Sequence, residues 1–214
     1  MKLHTYYRSS ASYRVRIAMN LKGLHADQAY VHLSRNGGEQ FRPEFDDLNP
    51  GHLLPVLEDE GLVLPQSLAI IEYLDDTHQG IPLLPADARG RARVRALSQA
   101  IACDTHPLNN LRVLNYLSTE LGITDGQKQA WYRHWVALGL AALEKQLVRS
   151  RDTGLFCHGD TPTMADCCLI PQLYNARRFD CDLTPYPTVV AIEARCEALE
   201  AFAHARPEAQ PDAQ

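Results

Sequence analysis

Three short segments carry residues whose types and spacing could do chemistry. The first is Arg8-Ser9-Ser10-Ala11-Ser12-Tyr13-Arg14-Val15. It follows the apolar and aromatic run Leu3–Tyr7 and precedes Arg14–Lys22, where Val15, Ile17, Ala18, Met19 and Leu21 fit a helix. Hydroxyls therefore cluster where a strand hands over to a helix. A helix start exposes free N–H groups and a partial positive charge, so it stabilises anions, a thiolate among them. Taken alone, Ser9-Ser10 is better read as an ordinary N-cap. The second segment is Leu54-Pro55-Val56, at the mouth of a strand-like run. A cis proline there would expose the N–H and C=O of Leu54 to a peptide-like ligand added as an extra strand. An ordinary trans edge proline is the plain alternative. The third is Gln66-Ser67, which opens a helical pattern and could hold a carboxylate or serve only as a cap.

Other chemistries lack their residues. The nine histidines show no H-E-x-x-H pair and no other metal-ligand spacing, so no metal is expected. The glycine-rich nucleotide motifs and the G-x-S-x-G serine elbow are absent. The six cysteines, Cys103, Cys157, Cys167, Cys168, Cys181 and Cys196, form no C-x-x-C pair and read as buried thiols of a reducing cytoplasm.

The elements that must position these segments follow from periodicity. Residues 1–80 read as strand Leu3–Tyr7, helix Tyr13–Leu24, strand Ala26–Leu33, a short helix Phe41–Leu48, strands Val56–Glu58 and Leu62–Leu64 about the turn Asp59-Glu60-Gly61, and helix Gln66–Thr77. This βαβαββα order implies a four-stranded mixed sheet with helices on both faces. Residues 81–88 read as a linker. Residues 89–214 read as an all-helical domain, with helices over Arg89–Asp104, Trp131–Arg149, Met164–Asn175 and Val189–Ala203. Thr163-Met164-Ala165-Asp166 matches a capping box, and the Pro/Ala/Gln/Asp-rich tail from Arg206 is expected to fray. The 214 residues are 45% hydrophobic, enough for a core without disulfides. A net charge of −5, with no basic segment, argues against nucleic acid. No transmembrane run and no signal core are seen, so neither a membrane nor secretion is expected.

Order, linker, Pro55 and the Gln66-Ser67 helix start together resemble the cytosolic glutathione transferases, over nearly the whole chain. The likeness narrows with Ser9-Ser10-Ala11-Ser12-Tyr13-Arg14-Val15-Arg16-Ile17-Ala18, which is similar to the S-S-C-x-W-R-V-R-I-A signature of the zeta class, the maleylacetoacetate isomerases. Gln66-Ser67-Leu68-Ala69-Ile70-Ile71-Glu72-Tyr73-Leu74 and Asp182-Leu183-Thr184-Pro185-Tyr186-Pro187 match the class as well. Within it, the bacterial maleylpyruvate isomerases are the nearest likeness. Two positions depart from the signature: Ala11 stands for its cysteine and Tyr13 for its tryptophan. The reacting thiol must then come from the cofactor.

The resemblance implies a thioredoxin-like first domain that binds glutathione and an all-α second domain that contributes the substrate pocket. It implies Ser9 as partner of the glutathione thiolate, with Ser10 beside it. Leu54, before Pro55, would pair with the cysteinyl backbone. Gln66 and Ser67 would take the γ-glutamyl group, and His52 the glycyl end. Gln40 and, from a partner subunit, Asp104 are further candidates. Arg8 and Arg178 would bind the carboxylates of a small keto dicarboxylate, because Arg meets a carboxylate with two parallel hydrogen bonds. His106, Asn110 and Arg112 would line the substrate pocket from one helix. The implied activity is isomerisation of maleylpyruvate to fumarylpyruvate in gentisate breakdown, by a cytoplasmic homodimer. The alternatives are maleylacetoacetate isomerisation, a glutathione-consuming transferase or dehalogenase, and a binding module without activity.

Overall fold

The structure is a computed structural model that describes residues 1–213. The chain forms two compact units. One comprises Met1–Leu84 together with the chain from Ala198 onward, and the other comprises Pro85–Glu197. The expected boundary after residue 80 therefore moves to Leu84, and the last segment returns to the first unit instead of closing the helical one.

In the first unit, β1 (Lys2–Thr5) lies between β2 (Asp27–Tyr30), its parallel partner, and β3 (Val56–Asp59), which runs antiparallel and pairs onward with β4 (Leu62–Pro65). Leu3, His4 and Thr5 of β1 are all buried although alternate residues face opposite ways. Thr5 accepts a hydrogen bond from Arg16 on α1 (Ser10–Leu21), and the His4 ring meets Phe45 on α2 (Pro43–Asp46) edge-on, so both sheet faces are covered. The helix α3 (Ser67–Thr77) packs beside α1. The expected mixed sheet is thus present. Its strands are shorter than their apolar runs: Tyr6 and Tyr7 leave the ladder after Thr5 and turn into the loop that carries Arg8 and Ser9.

The second unit is helical: α4 (Ala88–Gln99), α5 (Leu111–Thr119), α6 (Asp125–Arg149), α7 (Met164–Arg178) and α8 (Pro187–Glu197). The α7 helix is buried from Met164 to Leu173, as its apolar run requires. The expected capping box is formed. The buried Asp166 carboxylate accepts from Thr163 N–H at 2.8 Å and from Cys157 N–H at 2.9 Å, while Thr163 caps the helix in return.

Three helix expectations need correction. The Arg89–Asp104 pattern holds only to Gln99. The chain then widens into an i→i+5 turn over Ala100–Thr105 and tightens into an i→i+3 turn over His106–Asn109, where Pro107 has no N–H to continue a helix. The Val189–Ala203 pattern is two helices, since the chain extends at Leu199 before α9 (Glu200–Ala203), which belongs to the first unit. The α5 helix escaped the periodicity reading altogether. The tail, expected to fray, is docked: Pro207 and Gln210 are buried. All six cysteines are free thiols, but Cys103 is exposed and Cys181 only half-buried, against the expectation that all are buried.

Candidate active site

In the first unit Ser9 stands at the start of α1. Ser9 is its N-cap, with Oγ accepting the Ser12 N–H at 3.2 Å. The cap and the thiolate readings are compatible, because a hydroxyl that accepts there still has its own proton to donate. Ser9 is half-buried and Ser10 is buried in the first turn. Arg8 is exposed, stacks over the Tyr7 ring at 5.0 Å and forms no ion pair among the described residues.

The Leu54–Pro55 peptide is cis. The N–H and C=O of Leu54 enter no hydrogen bond among the described residues, although the side chain is buried. Gln66, at the start of α3, is exposed and holds φ at +74°, a region costly for a non-glycine residue, and its side chain makes no cap bond. Next to it Ser67 is buried, and its Oγ accepts from Arg14 Nη1 at 3.2 Å, which again leaves the hydroxyl proton to donate. Arg14 thereby ties α1 to the first residue of α3. His52 also has a positive φ, +53°, and its Nε2 lies 2.6 Å from Asp46 Oδ1, so this imidazole already has an acidic partner. Gln40 is buried, donates to the Leu33 carbonyl at 3.3 Å and lies against Gly38, while its Oε1 has no hydrogen-bond partner among the described residues.

In the second unit the expectation of one helix for His106, Asn110 and Arg112 fails. His106 opens the i→i+3 turn. Asn110 is extended and caps α5, its Oδ1 accepting the Arg112 N–H at 3.1 Å. Arg112 is exposed in the first turn of α5. Asp104 is exposed in the widened turn. What gathers this stretch and Arg178 is α6. Trp131 Nε1 donates to the Leu108 carbonyl at 2.8 Å, and the Tyr132 carbonyl accepts from Asn109 Nδ2 at 3.4 Å. The Tyr132 ring stacks on Phe179 at 3.7 Å, and the Arg178 guanidinium lies over the other ring of that stack, 4.8 Å from the Phe179 centroid. The neighbouring arginines separate cleanly. Arg177 is held by both carboxylate oxygens of Glu193, whereas Arg178 forms no ion pair among the described residues.

Sequence reasoning missed Arg14, Arg16 and the Trp131–Tyr132–Phe179 frame. The sequence carries no clear signal for the arginines, since Ser10, Ser12 and Asn20 share the helix with them and Asn20 is exposed. Arg14 is 2% and Arg16 4% exposed.

Comparison with known proteins agrees with this geometry. Residues 8–77 match the family model for the glutathione S-transferase N-terminal domain and residues 129–204 the one for the C-terminal domain. A Vibrio cholerae protein called probable maleylacetoacetate isomerase is 53% identical over 99% of this chain and 97% of its own length. The holo structure of a bacterial zeta-class maleylpyruvate isomerase superposes with a TM-score of 0.96 at 46% identity, covering all of both chains. A Methylobacterium extorquens maleylacetoacetate isomerase, solved with malonate and glutathione, does so at 0.95 and 41%, again covering both chains entirely. The chain belongs to the glutathione S-transferase family, in its zeta class.

Proposed function

We propose that this chain is a glutathione-dependent cis–trans isomerase that converts maleylpyruvate to fumarylpyruvate. The observation that carries the reading is the pairing at the start of α1: a capping hydroxyl with a proton to donate, beside a guanidinium without an acidic partner. The cradle fits a tripeptide thiol, since the Leu54 peptide groups are unpaired and the Ser67 hydroxyl can donate to a carboxylate. Glutathione, when bound, supplies a thiolate that adds to the double bond and later leaves, so rotation occurs about a single bond and the thiol is not consumed. Ser9 donates its O–H to the sulfur, and the N–H groups of the α1 start lower the thiol pKa below its free range. Leu54 pairs with the cysteinyl backbone, Gln66 and Ser67 hold the γ-glutamyl end, and His52, on the arm of Asp46, meets the glycyl end. Arg8 takes one substrate carboxylate and steadies the negative charge that develops on the keto oxygen. In the second unit Arg178 is assigned the other carboxylate, with His106, Asn110 and Arg112 shaping the fit to a short 2-keto acid arm.

Maleylacetoacetate is the second reading, favoured by the 53% identity to the Vibrio cholerae relative. The bond that commits Asn110 Oδ1 to the α5 cap also weakens one of the groups that argued for the shorter substrate. Steady-state kinetics on both acids with glutathione present decides: a higher kcat/KM on maleylpyruvate is expected, and an equal or higher value on maleylacetoacetate reverses the choice. Constant free thiol during turnover is expected, whereas a falling thiol would mark a conjugating transferase.

We also propose a homodimer, supported by Tyr116, Leu138 and Val148, which stay exposed on α5 and α6, with Asp104 reaching a partner subunit's glutathione. No helix of the described residues is long and apolar enough to cross a membrane. A reducing compartment, the cytoplasm, suits six free thiols.

A further inference from the structure

The loop Tyr6–Ser9 carries the groups assigned to the reaction, yet it lies beyond the sheet. The ladder ends where Val31 N–H donates to Thr5 C=O. Within the loop the Ser9 N–H donates to the Tyr6 carbonyl at 3.0 Å, and further peptide groups are satisfied from two other places. One is Arg16. Its Nη1 reaches Thr5 Oγ1 at 3.2 Å and the Tyr6 carbonyl at 3.3 Å, its Nη2 reaches the Tyr7 carbonyl at 2.9 Å, and its Nε reaches the Ala205 carbonyl at 3.1 Å. One buried cation thus joins the loop to the segment that follows α9. The other is that segment itself. Asp212 Oδ2 accepts the Tyr7 N–H at 3.0 Å.

The segment is built to stay in place. Gln210 Nε2 donates to the His204 and Arg206 carbonyls at 2.8 and 2.9 Å, closing the turn, and Pro207 is buried. Ala213 packs against the apolar cluster of Tyr6, Tyr7, Val31, Phe45, Leu54 and Val56, which includes the residue whose peptide groups are assigned to the cofactor. Charge agrees with geometry. Burial pushes the Arg16 guanidinium down to about 10, and the Asp212 carboxylate offsets part of that cost.

We infer that the C-terminal strap Pro207–Ala213 is a positioning element of the glutathione site, with Asp212 fixing, through the Tyr7 N–H, the loop from which Arg8 and Ser9 act. The inference rests on the glutathione reading of Ser9 given above. Asp212 touches no reacting atom. Its effect is to hold a donor within the few tenths of an ångström that a hydrogen bond to sulfur tolerates.

The test is titration of the bound glutathione thiol, read as ultraviolet thiolate absorbance against pH, in Asp212→Ala, Asp212→Asn and Ser9→Ala beside the unaltered protein. In Asp212→Ala the thiolate fraction near neutral pH is expected to fall, and KM for glutathione to rise, each by about fivefold, the scale of one net hydrogen bond. The Asn variant keeps an oxygen for the Tyr7 N–H and is expected to restore most of both. An unshifted titration in Asp212→Ala, even with a lowered melting temperature, reduces the strap to a structural tail and overturns the inference. So does an Asn variant as impaired as the Ala one. Ser9→Ala keeps the two readings apart. No shift there removes the glutathione assignment and the strap with it, whereas a shift there with none in Asp212→Ala removes the strap alone.

Discussion

The two polar stretches of the molecule are held in opposite ways. Around the start of α1 the guanidinium groups of Arg14 and Arg16 are sunk into the first unit, where they bond to Ser67 Oγ and to the Tyr6 and Tyr7 carbonyls. Long-range bonds to Asp212, Ser67 and Ala205 hold the Tyr7 N–H, Arg14 and Arg16 around Ser9. Between Ala100 and Arg112 of the second unit the chain instead leaves regular helix, and Asp104 and Arg112 are exposed. That stretch is held by short contacts of its own side chains and of α6: Thr105 Oγ1 donates to the Ala100 carbonyl at 2.9 Å, and α6 approaches so closely at Gly139 that a Cβ there would meet Thr105 Oγ1 at 2.2 Å. Under the function proposed above, the difference would divide labour. The groups assigned to the thiolate would sit on a backbone that buried charge holds, and the groups assigned to substrate choice on turns whose side chains can change at little cost to the fold.

The comparison predicts that damage near Ser9 costs stability and activity together, while damage in the second unit separates them. The largest effect is expected for Arg16→Leu. It leaves the Tyr7 and Ala205 carbonyls without their donor inside the first unit, and a loss of about 3–5 kcal/mol is expected on the scale of broken buried charged networks. Urea unfolding monitored by circular dichroism checks it. A midpoint within error of the unaltered protein would mean that the buried arginine is dispensable and that the first stretch is no more constrained than the second. Next comes Arg178→Ala. Removing a charge-assisted contact to a carboxylate is worth about 1.5–3 kcal/mol, roughly tenfold to a hundredfold in kcat/KM for the maleyl acid. The urea midpoint and KM for glutathione are expected to stay put. If KM for substrate and kcat are both unchanged, Arg178 is a surface charge stacked on Phe179 and nothing more.

The same contrast explains what could be read without coordinates. The element order with its mixed sheet and the N-cap at Ser9 were legible because they rest on short-range rules: period-two runs, turn residues and a hydroxyl ahead of an apolar helix. The burial of Arg14 and Arg16 was not legible, since Arg16 and Asn20 stand one turn apart and read as a solvent-facing polar pair, whereas the partners that draw Arg16 inward are the Tyr6, Tyr7 and Ala205 carbonyls. Nor were the turns over Ala100–Asn109. Val94, Leu97 and Ile101 continue a helical period across the start of the break, Pro107 marks only its far end, and the close approach of Thr105 to Gly139, 34 positions distant in sequence, is not a local signal. The docking of the tail was hidden for the same reason. Its composition favours disorder, and much of what orders it lies far off in sequence: the Tyr7 N–H on Asp212, about two hundred residues earlier, and the apolar cluster under Ala213.

The smallest expected effect is the sharpest test of the division. Asn110 has two assignments that can be separated: a cap for α5 through Oδ1, and a polar lining group for the substrate. Asn110→Ala removes both. Asn110→Asp keeps the cap acceptor, since a carboxylate oxygen takes the Arg112 N–H as well and suits the positive helix start. It also places a negative charge where a dianionic substrate is to bind. If the cap is the whole of its role, Ala costs about 1 kcal/mol of stability. Asp then costs nothing, and kcat/KM is unmoved in both. If Asn110 lines the pocket, Asp keeps its melting temperature while KM for the maleyl acid rises, by several-fold and more steeply at low ionic strength, where like charges are least screened. The second pattern is expected, because the cap commits only Oδ1, and Nδ2 of Asn110 enters no hydrogen bond among the described residues. The first would show that this turn is as purely structural as the arginines under Ser9.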